Sequence, residues 1–189
     1  VAAPGAFTGA VSDQLRALVK KVQLDYLRDE LPVSRTSSID GLRRAVLSDA
    51  PAIRALTRLA YAKWVPVAGR EPLPMRADYE AAVRNHRIDL LYKGGELAAL
   101  IETVAESDHL LIENVAVSPA FQGQGLGRAL LAHAEELAAA SGHAELRLYT
   151  NKLFVANIAL YQRLGYRIDR EEALNGGTAV HMSKRLARS

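Results

Sequence analysis

The stretch Val115 to Ala138, VAVSPAFQGQGLGRALLAHAEELA, decides how this chain is read. It begins as the end of a β-rich segment, turns through Pro119, Gly123, Gly125 and Gly127, and emerges with Leu130, Leu131, Ala134, Leu137 and Ala138 spaced along one helix face. Glycine loses more freedom on ordering than any other residue, so three of them between rigid elements imply backbone geometry that a Cβ would forbid. At a helix N-terminus the amides from Gln122 to Arg128 and the positive end of the dipole form a cradle for an anion. A strand-to-helix connection without a ligand is the other reading of these residues.

Two familiar anion loops do not match. No Lys-Ser or Lys-Thr pair closes the turn, as a nucleoside-triphosphate loop requires, and Arg128 stands where a dinucleotide fingerprint needs its third glycine.

Upstream, Leu42–Val46, Ile88–Lys93, Leu97–Glu102 and Leu110–Val117 read as strands, the second and third joined by Gly94-Gly95. Asp49 and Pro51 start a helix whose stripe is Ile53, Leu56, Leu59, Ala60 and Trp64, with Pro66 ending it; another helix covers Ala77–Asn85. Downstream, Gly127–Ser141 reads as a helix, Ala144–Thr150 as a strand and Asn157–Leu164 as a short helix closed by Gly165. Tyr166–Arg170 and Ala179–Lys184 form a last hairpin around Asn175-Gly176-Gly177. The order predicts an α/β (α+β mixed) fold with about seven strands in a mixed central sheet flanked by helices. Residues 1–38 read as an extension, with an amphipathic helix over Ser12–Glu30 followed by a Pro/Ser linker, and 39–189 as the main domain.

The formal charge of +3 is concentrated after Asn151, where seven Lys/Arg face three Asp/Glu. No aromatic RNA motif, Cys/His finger or basic recognition helix accompanies it, so no nucleic-acid partner is expected. With no Cys in its 189 residues the chain has no disulfide or cysteine nucleophile. The apolar opening lacks the basic flank of a signal peptide, and no run of about 18 apolar residues appears; a cytoplasmic protein without a membrane partner is expected. The five His residues show no metal-ligand spacing, and no metal is expected; His109 and His133 read as exposed.

Val117-Ser118-Pro119 followed by Gln122-Gly123-Gln124-Gly125-Leu126-Gly127 resembles the pyrophosphate loop of the GNAT superfamily of N-acetyltransferases, Q/R-x-x-G-x-G/A after a strand end. Asn157 to Tyr161 with Leu164-Gly165-Tyr166 resembles the second signature of that family, and the similarity spans about Leu42 to Leu186. The resemblance implies a GNAT-like fold in which the strands ending at Val117 and Thr150 splay and acetyl-CoA enters the wedge as acetyl donor. It implies that the backbone of Val115, Ala116 and Val117 meets the pantetheine arm and that Gln122, Gly123, Gln124, Gly125, Leu126, Gly127 and Arg128 hold the pyrophosphate. Arg128 adds a side-chain contact or faces solvent. Asn157 is placed beside the pantetheine.

Direct transfer to an amine needs a proton acceptor and a proton for the departing thiolate. Tyr161 shares a helix face with Asn157, and the resemblance, which sets that face against the pantetheine, implies that it is the general acid; a core tyrosine is the alternative. Glu113 is the expected base: alternation places 111, 113, 115 and 117 in one row, leaving a carboxylate among apolar side chains. An arginine partner is its other reading, and Glu102 is a second candidate base. The resemblance implies oxyanion stabilisation by the Val117 amide.

Trp64, Tyr79 and Tyr149 are expected on the acceptor wall, although a Trp in the position of Trp64 is more often a core or helix-packing residue. Without a marked acidic block, a small-molecule amine is the expected acceptor and partner; protein lysine or N-terminal acetylation and a non-catalytic acetyl-CoA sensor are the alternatives. The resemblance implies that a homodimer is common, and the apolar stripe of the Ser12–Glu30 helix either crosses to a partner or lies back on its own domain.

Overall fold

A computed structural model describes residues 39, 41–174 and 176–187. The helix expected over Ser12–Glu30, and with it the extension 1–38, lies outside the described residues, as does Asn175.

Among the described residues seven strands form one sheet: β1 Leu42–Arg44, β2 Arg87–Lys93, β3 Glu96–Ala105, β4 Leu110–Val117, β5 Glu145–Asn151, β6 Arg167–Leu174 and β7 Gly177–Arg185. Their spatial order is β1-β2-β3-β4-β5-β7-β6, with every neighbouring pair antiparallel except β4 and β5. A parallel pair cannot be joined by a tight turn, so the chain crosses between them through a long helix. The helices are α1 Ala50–Tyr61, α2 Val65–Ala68, α3 Tyr79–Asn85, α4 Leu126–Ala140 and α5 Val155–Arg163. Among the described residues no helix is long and apolar enough to cross a membrane.

The sheet is covered on both faces. Leu126, Leu130, Leu131, Ala134 and Ala138 of α4 pack with Leu110, Ile112, Leu146 and Leu148, joined by Ile158 and Leu164 at α5. On the other face Ile53, Leu56 and Ala60 of α1 meet Tyr79 and Ala82 of α3 over Ile88, Leu90, Leu100 and Ala116. The predicted α1 stripe holds apart from Leu59, which is 55% exposed. Pro66 does not end a helix as expected. It sits in the first turn of α2, where a missing N–H costs nothing, and Gly69, at φ 68°, ends that turn instead.

His133 is not exposed as expected. Its Nε2 lies 3.0 Å from Oδ2 of Asp89, a carboxylate buried on β2 that also accepts from Arg87 Nε at 2.7 Å. The interaction ties the middle of α4 to the sheet. His109 is likewise largely covered, with a side-chain exposure of 13% beside Asp108.

Candidate active site

The two central strands separate because one of them carries an extra residue. On β3 the consecutive residues Glu102 and Thr103 pair with Asn114 and Ile112, which leaves Glu113 as a β-bulge in β4. A bulge bends its strand and increases its twist. The parallel pairing of β4 with β5 accordingly runs from Leu110–Leu146 to Ile112–Leu148 and stops there, although both strands continue. Beyond that point lies a wedge bordered by Val115 on one side and Thr150 and Asn151 on the other.

The bulge also corrects the expected row of side chains. Before it, Leu110 and Ile112 face α4; after it, Val115 and Val117 do. Residues 111, 113, 115 and 117 therefore do not share one face. Glu113 points instead toward the α1–α3 side, where it accepts a short hydrogen bond from the Tyr149 hydroxyl. Its setting is polar rather than an apolar row.

Backbone polarity along the wedge follows from the β3 register. The Ser118 amide donates to the Ala98 carbonyl at 2.9 Å, and antiparallel partners alternate, so Ala116 and Asn114 also direct their backbone groups at β3. Val115 and Val117 direct theirs at the wedge. Ala116, expected with them, is turned away, and its side chain is buried in the α1–α3 core.

At the foot of the wedge the glycine turn has the geometry that its composition demanded. Gly123 and Gly125 both hold φ 76°, in the left-handed region. The first intrahelical bond runs from the Ala129 amide to the Gly125 carbonyl at 3.0 Å, so the amides of Leu126 and Gly127 precede it at the positive end of α4. Gln122 braces the turn by donating from Nε2 to the Val117 carbonyl at 3.0 Å, and its Oε1 accepts from Lys63 Nζ at 3.0 Å. Gln124 is exposed, and Arg128 adds its charge within the first turn.

From α5, Asn157 and Tyr161 both line the wedge cavity. Among the described residues Asn157 Oδ1 is buried without a hydrogen-bond partner, the state of a group that a ligand N–H would satisfy. The Tyr161 ring lies tilted against Tyr166, centroids 5.9 Å apart. Free strand-edge backbone, an orphaned amide oxygen and a helix N-terminus in series fit a long ligand with amide groups and an anionic end, which is the chemistry of acyl-coenzyme A.

The opposite wall is built on Asn114. This residue, 4% exposed, accepts from the Tyr61 hydroxyl at 2.9 Å and donates to the Tyr79 hydroxyl at 3.2 Å, which itself donates to the Pro74 carbonyl at 2.8 Å. Burial pushes the Tyr79 phenol up to about 12. Tyr149 is raised by burial and then by the neighbouring Glu113 carboxylate, so it stays a proton donor to that carboxylate. Glu102 is almost wholly buried beside His86, with Oε1 2.5 Å from Nδ1; burial pushes its carboxyl above the ordinary range. The Arg70 guanidinium, which lines the wedge cavity, lies against Gly176, where a Cβ would meet it at 3.0 Å.

Of the three expected acceptor-wall residues, Tyr149 lines the wedge cavity and also a second cavity beneath α3, and Tyr79 lines only that second one. Trp64 lines neither. It stacks on Phe154 at 4.3 Å and joins the end of α1 to the start of α5, its larger apolar surface being buried in that junction. Asn114, Tyr61 and His86 were missed; a buried Asn beside the candidate base was the available signal for the first.

A wedge of this kind defines a protein that holds an acyl carrier against an acceptor cavity. The chain belongs to the acetyltransferase (GNAT) family, whose sequence model matches residues 53–166. Among curated proteins, the ribosomal protein bS18-alanine N-acetyltransferase of Escherichia coli is 41% identical over 76 residues, 40% of this chain and 51% of that one. A streptothricin acetyltransferase of Streptomyces lavendulae is 34% identical over 88 residues, 45% and 47% of the two chains. The chain thus spans about half the length of the curated relatives it matches. The crystal structure of the Escherichia coli ribosomal-protein-S18-alanine N-acetyltransferase superposes with a TM-score of 0.64 at 26% identity, covering 78% of this chain and 94% of that one. A Thermoplasma acidophilum PaiA N-acetyltransferase in complex with coenzyme A shares the fold, with a TM-score of 0.64 at 18% identity over 77% and 98%.

These relatives correct the expected small-molecule acceptor and partner. Four of the curated matches are named for an alanine of a ribosomal protein. The expectation rested on the lack of an acidic block, but a single chain-end amine needs only local carboxylates. Glu102 and Glu113, separate in sequence, are brought to one cavity by β3 and β4.

Proposed function

We propose that this chain transfers the acetyl group of acetyl-CoA to the α-amine at the N-terminus of a protein. The match to the bS18-alanine enzymes, 41% over 76 residues, carries the acceptor class.

Acetyl-CoA supplies a thioester carbonyl for direct attack. The glycine turn and the first turn of α4 hold its phosphates, the Val115 and Val117 backbone and Asn157 hold its pantetheine arm, and the Val117 amide faces the developing oxyanion. An α-amine is largely protonated near neutrality, with a pKa of about 8. The Glu113 carboxylate, oriented by Tyr149, takes one proton from the amine, the Tyr161 hydroxyl gives one to the thiolate, and the second proton that the nitrogen sheds on becoming an amide returns to Tyr161.

The test offers purified protein acetyl-CoA with a peptide bearing a free N-terminal alanine and an internal lysine, and with the same peptide blocked at its α-amine. Thiol release with the first alone, and acetyl mapped to the α-amine, is the expected result. Tyr161→Phe is expected to lower kcat on the order of a hundredfold with little change in either KM. Acetylation of lysine in the blocked peptide, or no transfer to either, overturns the reading.

A further inference from the structure

The transfer just described converts a protonated amine and a thioester into an amide, a thiol and one free proton. A C–N bond forms, the C–S bond breaks, and one proton per turnover has to reach solvent from a site filled by two substrates. Glu113 is placed at a boundary. Together with Asn114, Tyr149, Leu73 and Pro74 it lines the wedge cavity and also a second cavity of about 280 Å³ beneath α3. At roughly 30 Å³ per molecule, that volume holds several waters.

The far wall of this second cavity is Glu102 and His86. Glu102 has a side-chain exposure of 5%, whereas His86, 2.5 Å away, is 32% exposed. The pair leads from the buried side of the cavity to solvent at His86. A carboxylate this deeply buried needs a partner or a purpose. Among the described residues no Lys or Arg lines the cavity to neutralise it; the groups facing the pair are Asp78 at the cap of α3, Tyr79 from α3, Glu113 from β4 and Tyr149 from β5. Arg87, next in the chain, is engaged with Asp89.

We propose that this second cavity is the exit for the amine proton, with Glu102 and His86 as the positioning residues that pass it from Glu113 to solvent. The inference rests on the acetyl-transfer reading above. Water in the cavity carries the proton from the Glu113 carboxylate to Glu102, the short contact hands it to the imidazole, and His86 releases one to solvent. Imidazole suits that last position because one ring nitrogen accepts while the other donates. Every residue ends the cycle in its starting protonation state. Burial and the charge of Glu113 both favour a protonated Glu102, while the His86 contact opposes them, so the group is poised to accept and return a proton.

The same residues would otherwise be a staple between the end of α3 and β3, and the experiment separates the two. Steady-state kinetics with acetyl-CoA and the alanine peptide are measured across pH for the wild type, His86→Gln and Glu102→Gln, with melting temperatures in parallel. His86→Gln is expected to lower kcat by about tenfold, below the hundredfold or more of a directly transferring group, with both KM values within about twofold. Its solvent deuterium isotope effect rises, its pH profile shifts, and added imidazole restores rate in a concentration-dependent way. Glu102→Gln loses rate similarly but is not rescued, because imidazole cannot reach the buried position. A His86→Gln variant with wild-type kcat and pH profile overturns the proposal, as does a loss with no imidazole rescue and an unchanged isotope effect. In both cases the acetyl-transfer reading stands. A wild-type protein that transfers to no peptide amine overturns both.

Discussion

Asn114 is the polar residue on which the acceptor wall hangs, and its replacement by alanine has a cost that can be worked out from its contacts. The side chain receives the Tyr61 hydroxyl at 2.9 Å and gives a hydrogen bond to the Tyr79 hydroxyl at 3.2 Å. Tyr79, fully buried, keeps its bond to the Pro74 carbonyl after the change but loses an incoming donor. Tyr61, half-buried at the cavity, turns to solvent. Two hydrogen bonds at about 1 kcal/mol each, plus about 1 kcal/mol for the space left in a closed site, place Asn114→Ala at about 2–4 kcal/mol. For a domain of this size each kcal/mol moves the melting temperature by about 2–4 °C, so a fall of roughly 4–16 °C is expected. Urea titration and thermal unfolding by circular dichroism measure it, and Tyr79→Phe completes a double-mutant cycle. The pair is expected to couple by about 1 kcal/mol. Asn114→Ala melting within 2 °C of the wild type, or a cycle additive to within about 0.5 kcal/mol, refutes the idea that this network holds α1, β4 and the loop before α3 together.

Two other perturbations address the wedge and the edge of the fold. Deleting Glu113 makes Ile112 and Asn114 consecutive opposite Thr103 and Glu102, so β4 straightens; the protein is expected to fold yet bind coenzyme A at least about tenfold more weakly by calorimetry, about 1.4 kcal/mol. Glu113→Ala, which keeps the bulge, is expected to retain that affinity, and equal binding by both variants contradicts the role given to the bend. Asp49 receives Arg43 at 2.7 and 2.8 Å and the Val46 amide at 2.8 Å, and the Arg43 hydrogen bond holds its carboxyl below the ordinary 3.8 against the opposing effect of burial. A depressed folded-state value stabilises fully above the unfolded one and is lost as pH falls through the folded one, so Asp49→Asn is expected to cost about 1–2 kcal/mol at pH 7. Urea midpoints measured across pH are expected to converge below the ordinary value of 3.8; a gap that persists in acid removes the ionised carboxylate as its cause.

How far the fold was legible depended on whether its signal was local. The reading of Leu110–Val117 matches its observed bounds, because its apolar run and the Pro119 stop just beyond it are both local signals. Strand β6 was cut short at Arg170, since RIDREEAL has no buried face in the described structure and owes its extension to pairing with β7. Pro66 was read as a terminator from its lost N–H alone, whereas a second short helix accommodates it at a first-turn position. The glycine turn was legible because left-handed dihedrals require that residue type. Asn114, His86 and Glu102 were not assembled in advance, since they come from β4, the end of α3 and β3 and share a cavity only after the sheet forms.

The bulge explains why the site has its two sides. A regular β4 would carry residues 112, 114 and 116 on one face and 113, 115 and 117 on the other. That pattern would put Asn114 toward α4 and leave Val115 and Val117 with Glu113, so the polar and apolar walls would be mixed. One inserted residue reverses the alternation beyond Ile112. It sends Val115 and Val117 to the α4 side, where their backbone borders the wedge, and keeps Glu113 and Asn114 together on the α1–α3 side with Tyr149, Tyr61 and Tyr79. The same residue ends the pairing with β5. Opening the wedge and turning the carboxylate toward the acceptor cavity are therefore a single geometric event, and any change that removes one is expected to remove the other.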